Sequence, residues 1–382
     1  MSFALNMPKL SLSGSGAVAD AVAHLKKQPV KKALIVTDKT LLELGVLNAL
    51  LAELDKTGVA SYLFDDVMPN PTARLVRKGV EVYQREGCDC FIAVGGGSPV
   101  DAAKAIRIMA SNDGDICDYN GIGKVQNSGA YFIAINTTAG TAAEMTSNSV
   151  ITDEDNKVKM VIIDPKQIPD IAVNDPELMT DLPASVTAAT GMDALTHAIE
   201  AYVSVGAHTL TDHSALESIR IISQWLPVAV EQGENLMARD KMACAQFLAG
   251  MAFNSAGLGL VHAMAHQPGA THDLPHGVCN AILLPHICAF NAAENPEKFR
   301  AIAEAMGGDT LRLNDAEAAK LAVSLIKKLS DQVGIPSGFG KLGVKEEALG
   351  RWIEKALNDP CYGGNSRSAT AEDIYELYKQ AL

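Results

Sequence analysis

The segment Phe91-Ile92-Ala93-Val94-Gly95-Gly96-Gly97-Ser98-Pro99 predicts a strand that turns directly into a helix. Its first four residues are apolar, as in a strand buried on both faces of a parallel sheet. The residues that follow, Val100 to Ala105, have the pattern of a first helical turn. Because glycines lack a Cβ, their backbone N–H groups can approach a phosphate, and the helix N-terminus adds partial positive charge. We therefore predict a phosphate-binding loop, with a plain tight turn as the alternative.

Similar apolar runs lie on both sides of this segment along the chain, at Ala33 to Val36 and at Phe132 to Ile135. Amphipathic stretches that predict helices separate them, at Leu41 to Thr57 and Thr72 to Glu86. This alternation is typical of βαβ units in an open parallel sheet. A β-rich patch with a hairpin is expected next, between Ser149 and Val173.

Beyond Leu182 the apolar periodicity becomes that of helices. Pro183 opens a long Ala-rich run, and the segments Asp240 to Phe253 and Ala316 to Val333 keep apolar residues at helical spacing. A length of 382 residues is enough for two or three domains. We predict an α/β domain with a parallel sheet and a dinucleotide site over residues 1–182, and an all-helical domain over residues 183–382.

The charge balance and the cysteines exclude several classes of protein. The chain has 32 Lys and Arg against 45 Asp and Glu, a net charge of −13, which disfavours nucleic acids and anionic membranes as partners. Its 7 cysteines are scattered and form no Cys-x-x-Cys pair, as expected of reduced thiols. No apolar stretch approaches the roughly 18 residues of a membrane span, and no secretory signal is evident. We expect a cytoplasmic protein.

Two features of the first domain bear on the cofactor. Asp38 ends the first apolar run; on a ribose hydroxyl its charge would repel a 2′-phosphate and favour NAD over NADP, but a plain turn residue is the alternative. The loop Asn136 to Glu144, rich in Thr and Gly, follows a later strand. Its hydroxyls and amides would either bind the rest of a dinucleotide or cap the next helix.

Two motifs in the helical half place pairs of polar side chains one helical turn apart. Asp193 and His197 are four residues apart, as are His262 and His266 within an apolar run. Apolar helices rarely bury two imidazoles without partners for their nitrogens. The pattern predicts a divalent metal site, with a solvated ion pair and a hydrogen-bonded histidine cluster as the alternatives.

Two more histidines follow the second motif. We expect Pro268-Gly269 to end the helix, which would place His272 and His276 in the loop beyond it. The resulting nitrogen and oxygen donors suit Fe(II), Zn(II), Mn(II) or Co(II) and do not distinguish among them. A metal beside a dinucleotide predicts hydride transfer between an alcohol and a nicotinamide, with the cation polarising the oxygen.

Taken together, these motifs resemble the iron-containing (group III) alcohol dehydrogenase family, in particular its branch of iron-activated alcohol dehydrogenase, lactaldehyde reductase and 1,3-propanediol dehydrogenase. The resemblance covers nearly the whole chain and rests on Gly95 to Lys104, Asn136 to Glu144, Thr187 to Glu200 and His262 to Gly277. It implies the dehydroquinate synthase-like fold, NAD, and Fe(II) with Zn(II) as a possible substitute. It also implies small alcohols and aldehydes as substrates and a homodimer or larger homo-oligomer.

The resemblance also assigns residues by position. The implied metal ligands are Asp193, His197, His262 and His276, and His266 is implied as a proton relay. The implied cofactor contacts are Asp38, Asn70, Gly96, Gly97, Ser98, Asp101, Thr137, Thr138, Thr141, Asn148 and Lys159. The expected substrate pocket comprises Phe253, His272 and Cys361.

One departure from the family pattern lies between two implied ligands. Relatives commonly have His-Gln-Leu-Gly-Gly followed by aromatics, where this chain has His266-Gln267-Pro268-Gly269-Ala270-Thr271-His272. We expect this change to alter the substrate pocket rather than the metal. The rival functions are a zinc polyol dehydrogenase or dehydroquinate synthase-type cyclase, and a non-catalytic protein that binds nucleotide and metal. The complete ligand pattern argues against both.

Overall fold

In the computed structural model, which describes residues 3–382, the chain divides into two units. The sheet unit contains residues 6–138 and 142–180, and the helical unit contains residues 3–5, 139–141 and 181–382. The roles predicted for residues 1–182 and 183–382 as functional domains remain a prediction.

The strands of the sheet unit form two sheets. They are β1 (Leu10–Ser13), β2 (Lys32–Val36), β3 (Ala60–Phe64), β4 (Cys90–Gly95), β5 (Gly121–Ile122), β6 (Tyr131–Asn136), β7 (Asn148–Asp153), β8 (Val158–Ile163) and β9 (Ile171–Asn174). The larger sheet has the order β1-β9-β6-β4-β2-β3, and its neighbouring strands are parallel. The antiparallel pair β7 and β8 confirms the hairpin, whereas β9, which the sequence grouped with that patch, pairs in the larger sheet.

Helices cover both faces of the larger sheet. They are α1 (Ala17–Leu25), α2 (Lys39–Glu43), α3 (Asn48–Asp55), α4 (Ala73–Glu86) and α5 (Gly97–Met109). In β4, Phe91 and Ala93 pack in one core cluster with residues of α4 and α5. Ile92 and Val94 pack in the opposite cluster with residues of α1 and α3. This alternation explains why the strand is apolar at every position and confirms the predicted α/β class.

The single helix expected over Leu41 to Thr57 is wrong, because α2 ends at Glu43 and α3 begins at Asn48. Gly45 between them has a φ of 73°, in the left-handed region that a right-handed helix cannot include. Its amide donates to the Leu42 carbonyl as the chain turns. The apolar spacing continues across this turn, which is why the periodicity predicted one helix.

The second unit is all-helical, as predicted. Its helices are α6 (Ala184–Val203), α7 (Thr209–Glu231), α8 (Leu236–Ala256), α9 (Leu260–His272), α10 (His276–Ala292), α11 (Pro296–Ala305), α12 (Asp315–Gln332), α13 (Gly350–Leu357) and α14 (Ala371–Gln380). Within residues 3–382, no single helix is both long and apolar enough to span a membrane. Only α8 and α9 taken together, with a bend of 105° between them, meet that standard of length and composition.

The expectation that Pro268-Gly269 ends a helix is also wrong. Helix α9 continues through both residues to His272, and Asp273 then turns the chain with a φ of 52°. His276 is the first residue of α10 rather than a loop residue. These positions place His272 and His276 at facing helix ends.

A hydrogen bond from another helix explains why the proline is tolerated. Pro268 has no N–H to donate to the Met264 carbonyl, four residues earlier. The Tyr378 hydroxyl of α14 donates to that carbonyl instead, at 2.7 Å. In the last turn, Trp352 Nε1 donates to Thr271 Oγ1 at 2.9 Å. Helices α13 and α14 therefore hold the helix that carries His262 and His266.

We expect Tyr378→Phe to lower the free energy of unfolding by about 1–3 kcal/mol, because it leaves a buried carbonyl without a donor. In the Pro268→Leu background the loss should be smaller, since the new N–H at position 268 can bond Met264. Denaturant unfolding of the four proteins measures this coupling. Tyr375→Phe on the same helix, whose hydroxyl bonds the exposed Glu346, is the control. Equal losses in both backgrounds would contradict the explanation.

Candidate metal centre and cofactor loops

Three helices bring the implied metal ligands together. Asp193 and His197 lie on α6, His262 on α9 and His276 at the start of α10. Donor atoms of Asp193, His262 and His276 lie within 4.8 Å of one another. The close approach of α10 to α6 depends on Gly277, because a Cβ there would lie 2.3 Å from the Ala189 carbonyl oxygen.

The distances within this group suit one shared cation. Asp193 Oδ1 lies 3.7 Å from His276 Nε2 and 3.9 Å from His262 Nε2. Two donors bonded to one first-row cation at about 2.0–2.2 Å are at most about 4.4 Å apart. The three side chains can therefore bind a metal with little movement.

His197 lies beside this group. Its Nδ1 is 4.0 Å from Asp193 Oδ2, and its ring stacks on that of His262 with centroids 4.6 Å apart. Among the described residues this buried Nδ1 has no hydrogen-bond partner. An unpaired buried nitrogen is costly unless another group satisfies it, and the ring is placed where a cation shared with Asp193 can contribute. The structure thus brings all four implied ligands together.

Asn280, which the sequence analysis missed, lies at the middle of the group. Its Nδ2 lies 2.6 Å from Asp193 Oδ1, 3.1 Å from His276 Nε2 and 3.2 Å from His262 Nε2. An amide nitrogen can only donate, and its two hydrogens can serve two of these three atoms at once, so Asn280 offsets part of the cost of burying them. The signal in the sequence was its position one helical turn after His276.

Glu200 was missed as well, although it lies within the α6 motif. Its Oε2 lies 2.6 Å from His262 Nδ1, and its Oε1 accepts the Val261 N–H at 2.6 Å. A carboxylate on Nδ1 places the hydrogen there and leaves Nε2 free for a metal. Burial raises the pKa of Glu200 to about 7, although the hydrogen bonds that it accepts from backbone N–H groups act to lower the pKa.

The electrostatics favour an anionic Asp193 beside a neutral His262. Burial alone would raise the pKa of Asp193, but the neighbouring imidazoles of His197, His276 and His262 leave it below its usual value. Burial, with help from His197, lowers the pKa of His262 far below its usual value. Both groups are thus in the form that coordinates a divalent metal near neutral pH.

The implied proton relay His266 and one implied pocket residue, Phe253, lie against the ligands. The ring of His266 stacks on His276 with centroids 5.4 Å apart, and Phe253 stacks on His197 at 4.4 Å. Cys361 lies two residues after Asp359, whose Oδ1 accepts the Cys361 N–H at 2.9 Å. His272 Nδ1 is instead bonded to Thr271 Oγ1 at 2.9 Å.

The predicted cofactor loops meet at one edge of the larger sheet. The order in which strands are added to that sheet reverses between β2 and β4, because β3 lies on one side and β6 and β9 lie on the other. In open α/β sheets, ligands bind beyond the carboxyl ends of the strands at such a point. Asp38 follows β2, Gly96 caps α5 after β4, and Thr137 follows β6. The Thr137 N–H donates to the Gly95 carbonyl at 3.1 Å, which joins the two loops.

Several implied cofactor residues also have structural contacts. Asp38 accepts the Leu41 N–H at the start of α2, and Asp101 accepts the Val150 N–H. Burial raises the pKa of Asp101. Lys159 Nζ donates to Asn70 Oδ1 at 2.8 Å, so these two implied contacts lie together. Gly97 and Ser98 begin α5. The Thr138 N–H donates to Asn136 Oδ1, and Asn148 Oδ1 accepts the Ser147 hydroxyl. Thr141 belongs to the helical unit.

Comparisons with known proteins cover both units. Residues 8–176 match the model of "Iron-containing alcohol dehydrogenase", and residues 187–382 match "Fe-containing alcohol dehydrogenase family, C-terminal". The 1,3-propanediol dehydrogenase of Citrobacter freundii is 46% identical over 98% of this chain and 98% of its own. The NAD-dependent methanol dehydrogenase of Bacillus methanolicus is 44% identical over 98% and 99%, respectively. A crystal structure of 1,3-propanediol oxidoreductase is 45% identical, with a TM-score of 0.98 and full coverage of both chains.

We expect Glu200→Gln to weaken metal binding about 10- to 100-fold, because the amide cannot accept both N–H groups that Glu200 now accepts. Competition between the apo-protein and a chromogenic chelator for Co(II) measures the affinity. Glu217→Gln, which removes a surface carboxylate paired with Arg220, is the matched control. Equal affinity of the Glu200 variant and the control would show that Glu200 does not support the site.

Proposed function

Because the chain belongs to the iron-containing alcohol dehydrogenase family, we propose that it interconverts small primary alcohols or diols with aldehydes, using NAD and Fe(II). The observation that carries the proposal is the convergence of Asp193, His262 and His276 within 4.8 Å, with His197 beside them. As an alcohol dehydrogenase of this family, the protein is an oxidoreductase.

Four side chains would hold the metal: Asp193, His197, His262 and His276. A bound Fe(II) would act as a Lewis acid toward the substrate oxygen. Three nitrogen donors and one carboxylate also suit Zn(II), which we propose as a possible substitute. Glu200 would keep His262 Nε2 turned toward the cation through its bond to Nδ1, and the cation would replace the Asn280 N–H groups on the histidine nitrogens.

Other residues of the helical unit would handle the substrate. We assign His266 the transfer of the hydroxyl proton toward solvent, because its ring lies against His276. Phe253, stacked on His197, would provide an apolar wall, together with Cys361 and His272. The proposed division of labour is therefore metal and substrate on residues 183–382 and cofactor on residues 1–182.

NAD would accept the hydride from the carbinol carbon. Its phosphates would bind the backbone N–H groups at Gly96, Gly97 and Ser98, where α5 begins. The name of the Bacillus methanolicus relative supports NAD as the cofactor. The remaining proposed contacts are Asp38, Asn70, Asp101, Thr137, Thr138, Thr141, Asn148 and Lys159.

Assembly and location are part of the same proposal. We assign the protein to the cytoplasm, and the 7 free cysteines, all within the described residues, agree with reduced thiols. A homodimer or larger homo-oligomer is proposed from the family resemblance. Small alcohols and aldehydes are the proposed partners, without nucleic acid or membrane.

The function is tested by removing the metal and returning it. Apo-protein prepared with a chelator under anaerobic conditions should form NADH from ethanol, 1,2-propanediol or 1,3-propanediol only after Fe(II) is added. His262→Ala should bind Fe(II) at least about 100-fold more weakly and lose turnover, because it removes a ligand. His213→Ala, at an exposed position of α7, should retain both. An apo-protein or a His262 variant with full activity would refute the metal-dependent mechanism.

The cofactor assignment has its own test. Asp38→Asn should raise the ratio of kcat/KM for NADP to that for NAD by roughly tenfold or more, since the charge that repels a 2′-phosphate is lost. The amide oxygen can still accept the Leu41 N–H, so α2 keeps its cap. Asp38→Gly should change the ratio in the same direction while losing that cap. If neither substitution changes the ratio, Asp38 does not contact the ribose.

A further inference from the structure

A second carboxylate–histidine pair lies one turn along α9 from the first. His266 Nδ1 is 2.8 Å from Asp359 Oδ2, and the other oxygen of that carboxylate accepts the Cys361 N–H at 2.9 Å. We propose that Asp359 is a positioning residue for the reaction, which holds His266 in the tautomer that carries its hydrogen on Nδ1. The inference rests on the proposed function, because it assigns a partner to the proposed proton carrier.

The carboxylate is well placed to decide the tautomer. The side chains of Asp359 and His266 are each 8% exposed, so water competes little for their hydrogen bond. Burial would raise the pKa of Asp359, but the adjacent His266 and the Cys361 N–H leave it below its usual value. An ionised carboxylate can only accept, so the shared hydrogen must lie on His266 Nδ1.

The backbone around Asp359 is fixed independently of the histidine. Asp359 precedes the 3-10 turn Pro360–Gly364 and caps it through the Cys361 N–H. The Asp359 carbonyl accepts the Tyr362 N–H at 3.0 Å. These bonds hold the carboxylate in place before the imidazole is considered, so it can orient a ring on another helix.

The tautomer has a consequence at the metal centre. With hydrogen on Nδ1, His266 Nε2 presents a lone pair, as a proton acceptor must. The ring lies parallel to that of His276, at 16° and 5.4 Å, and 6.3 Å from that of His262. Asp359 therefore keeps a proton acceptor beside two implied ligands. The same division of roles between carboxylate and imidazole operates in serine hydrolases.

The alternative use of these residues is a second cation site, because donor atoms of His266, Asp359 and Cys361 lie within 4.8 Å of one another. Two observations disfavour it. His266 Nδ1 is already bonded to Asp359, and burial raises the pKa of Cys361 well above its usual value, with the charge of Asp359 adding to the effect. Cysteine binds a metal as its thiolate, and the surroundings of Cys361 disfavour the thiolate.

Asp359→Asn separates orientation from packing. The oxygen of the new carboxamide is needed by the Cys361 N–H, so its NH₂ group faces His266 Nδ1 and reverses the tautomer. We expect kcat to fall about 100-fold or more, with the alcohol KM and the metal content unchanged. Asp359→Glu should recover part of kcat because it restores an acceptor. Asp373→Asn, another acidic residue near a helix start in this unit, is the control.

Three further measurements test the inference, and the NMR and zinc measurements do not depend on activity. In Zn(II)-loaded protein with ¹⁵N-labelled histidine, NMR should show hydrogen on His266 Nδ1, and on Nε2 in the Asp359→Asn variant. In the His266→Ala background, Asp359→Asn should reduce kcat no further. Zinc should bind at one ion per chain.

The outcomes are distinct. Hydrogen on Nε2 in the unmodified protein, an unchanged kcat in the Asp359→Asn variant, or a second zinc lost with that variant would each overturn the role of Asp359. If the unmodified protein with Fe(II) and NAD oxidises no alcohol, the proposed function fails, while the NMR result still decides the tautomer.

Discussion

The helical unit is organised around one buried charge, the carboxylate of Asp193, which is only 2% exposed. Burying an isolated ion costs more free energy than the net stability of a typical domain. The carboxylate is therefore stable only if hydrogen-bond donors or cations contact it. Asn280 and the imidazoles of His262 and His276 supply these contacts, each from outside α6. The carboxylate therefore requires α6, α9 and α10 to converge, and a bound cation would relieve the same constraint.

Helix α9 carries two histidines with the same hydrogen-bond arrangement. His262 Nδ1 meets Glu200 at 2.6 Å, and His266 Nδ1 meets Asp359 at 2.8 Å. In both, a buried carboxylate bonds one ring nitrogen and leaves the other exposed to a partner; we propose that this partner is the metal for His262 and a proton for His266. The two carboxylates come from opposite ends of the unit's sequence, on α6 and after α13. Both histidines depend on α9 remaining a helix up to and beyond Pro268.

Much of the architecture was predictable from local pattern. The central strand β4 is apolar because helices cover both faces of the sheet, and the predicted cofactor loops follow strand ends, so both features are visible in short stretches such as Phe91 to Pro99. The prediction of one helix failed at Gly45, where a single residue with positive φ interrupts the apolar helical periodicity. The prediction of a helix end failed at Pro268, where a distant side chain supplies the hydrogen bond that proline cannot donate. The Tyr378 hydroxyl lies 114 positions from the carbonyl it satisfies, beyond the reach of any local rule.

The amino-acid sequence by itself determined the fold class, the glycine loop and the candidate donors, because helical and strand periodicity and i, i+4 spacing are local properties. Only the tertiary structure decided which donors meet, since Asp193, His262 and His276 lie on separate helices whose approach depends on packing at Gly277. It also decided the supporting residues Asn280, Glu200 and Asp359. Their roles depend on hydrogen bonds between side chains far apart in sequence, and composition contains no information about those distances.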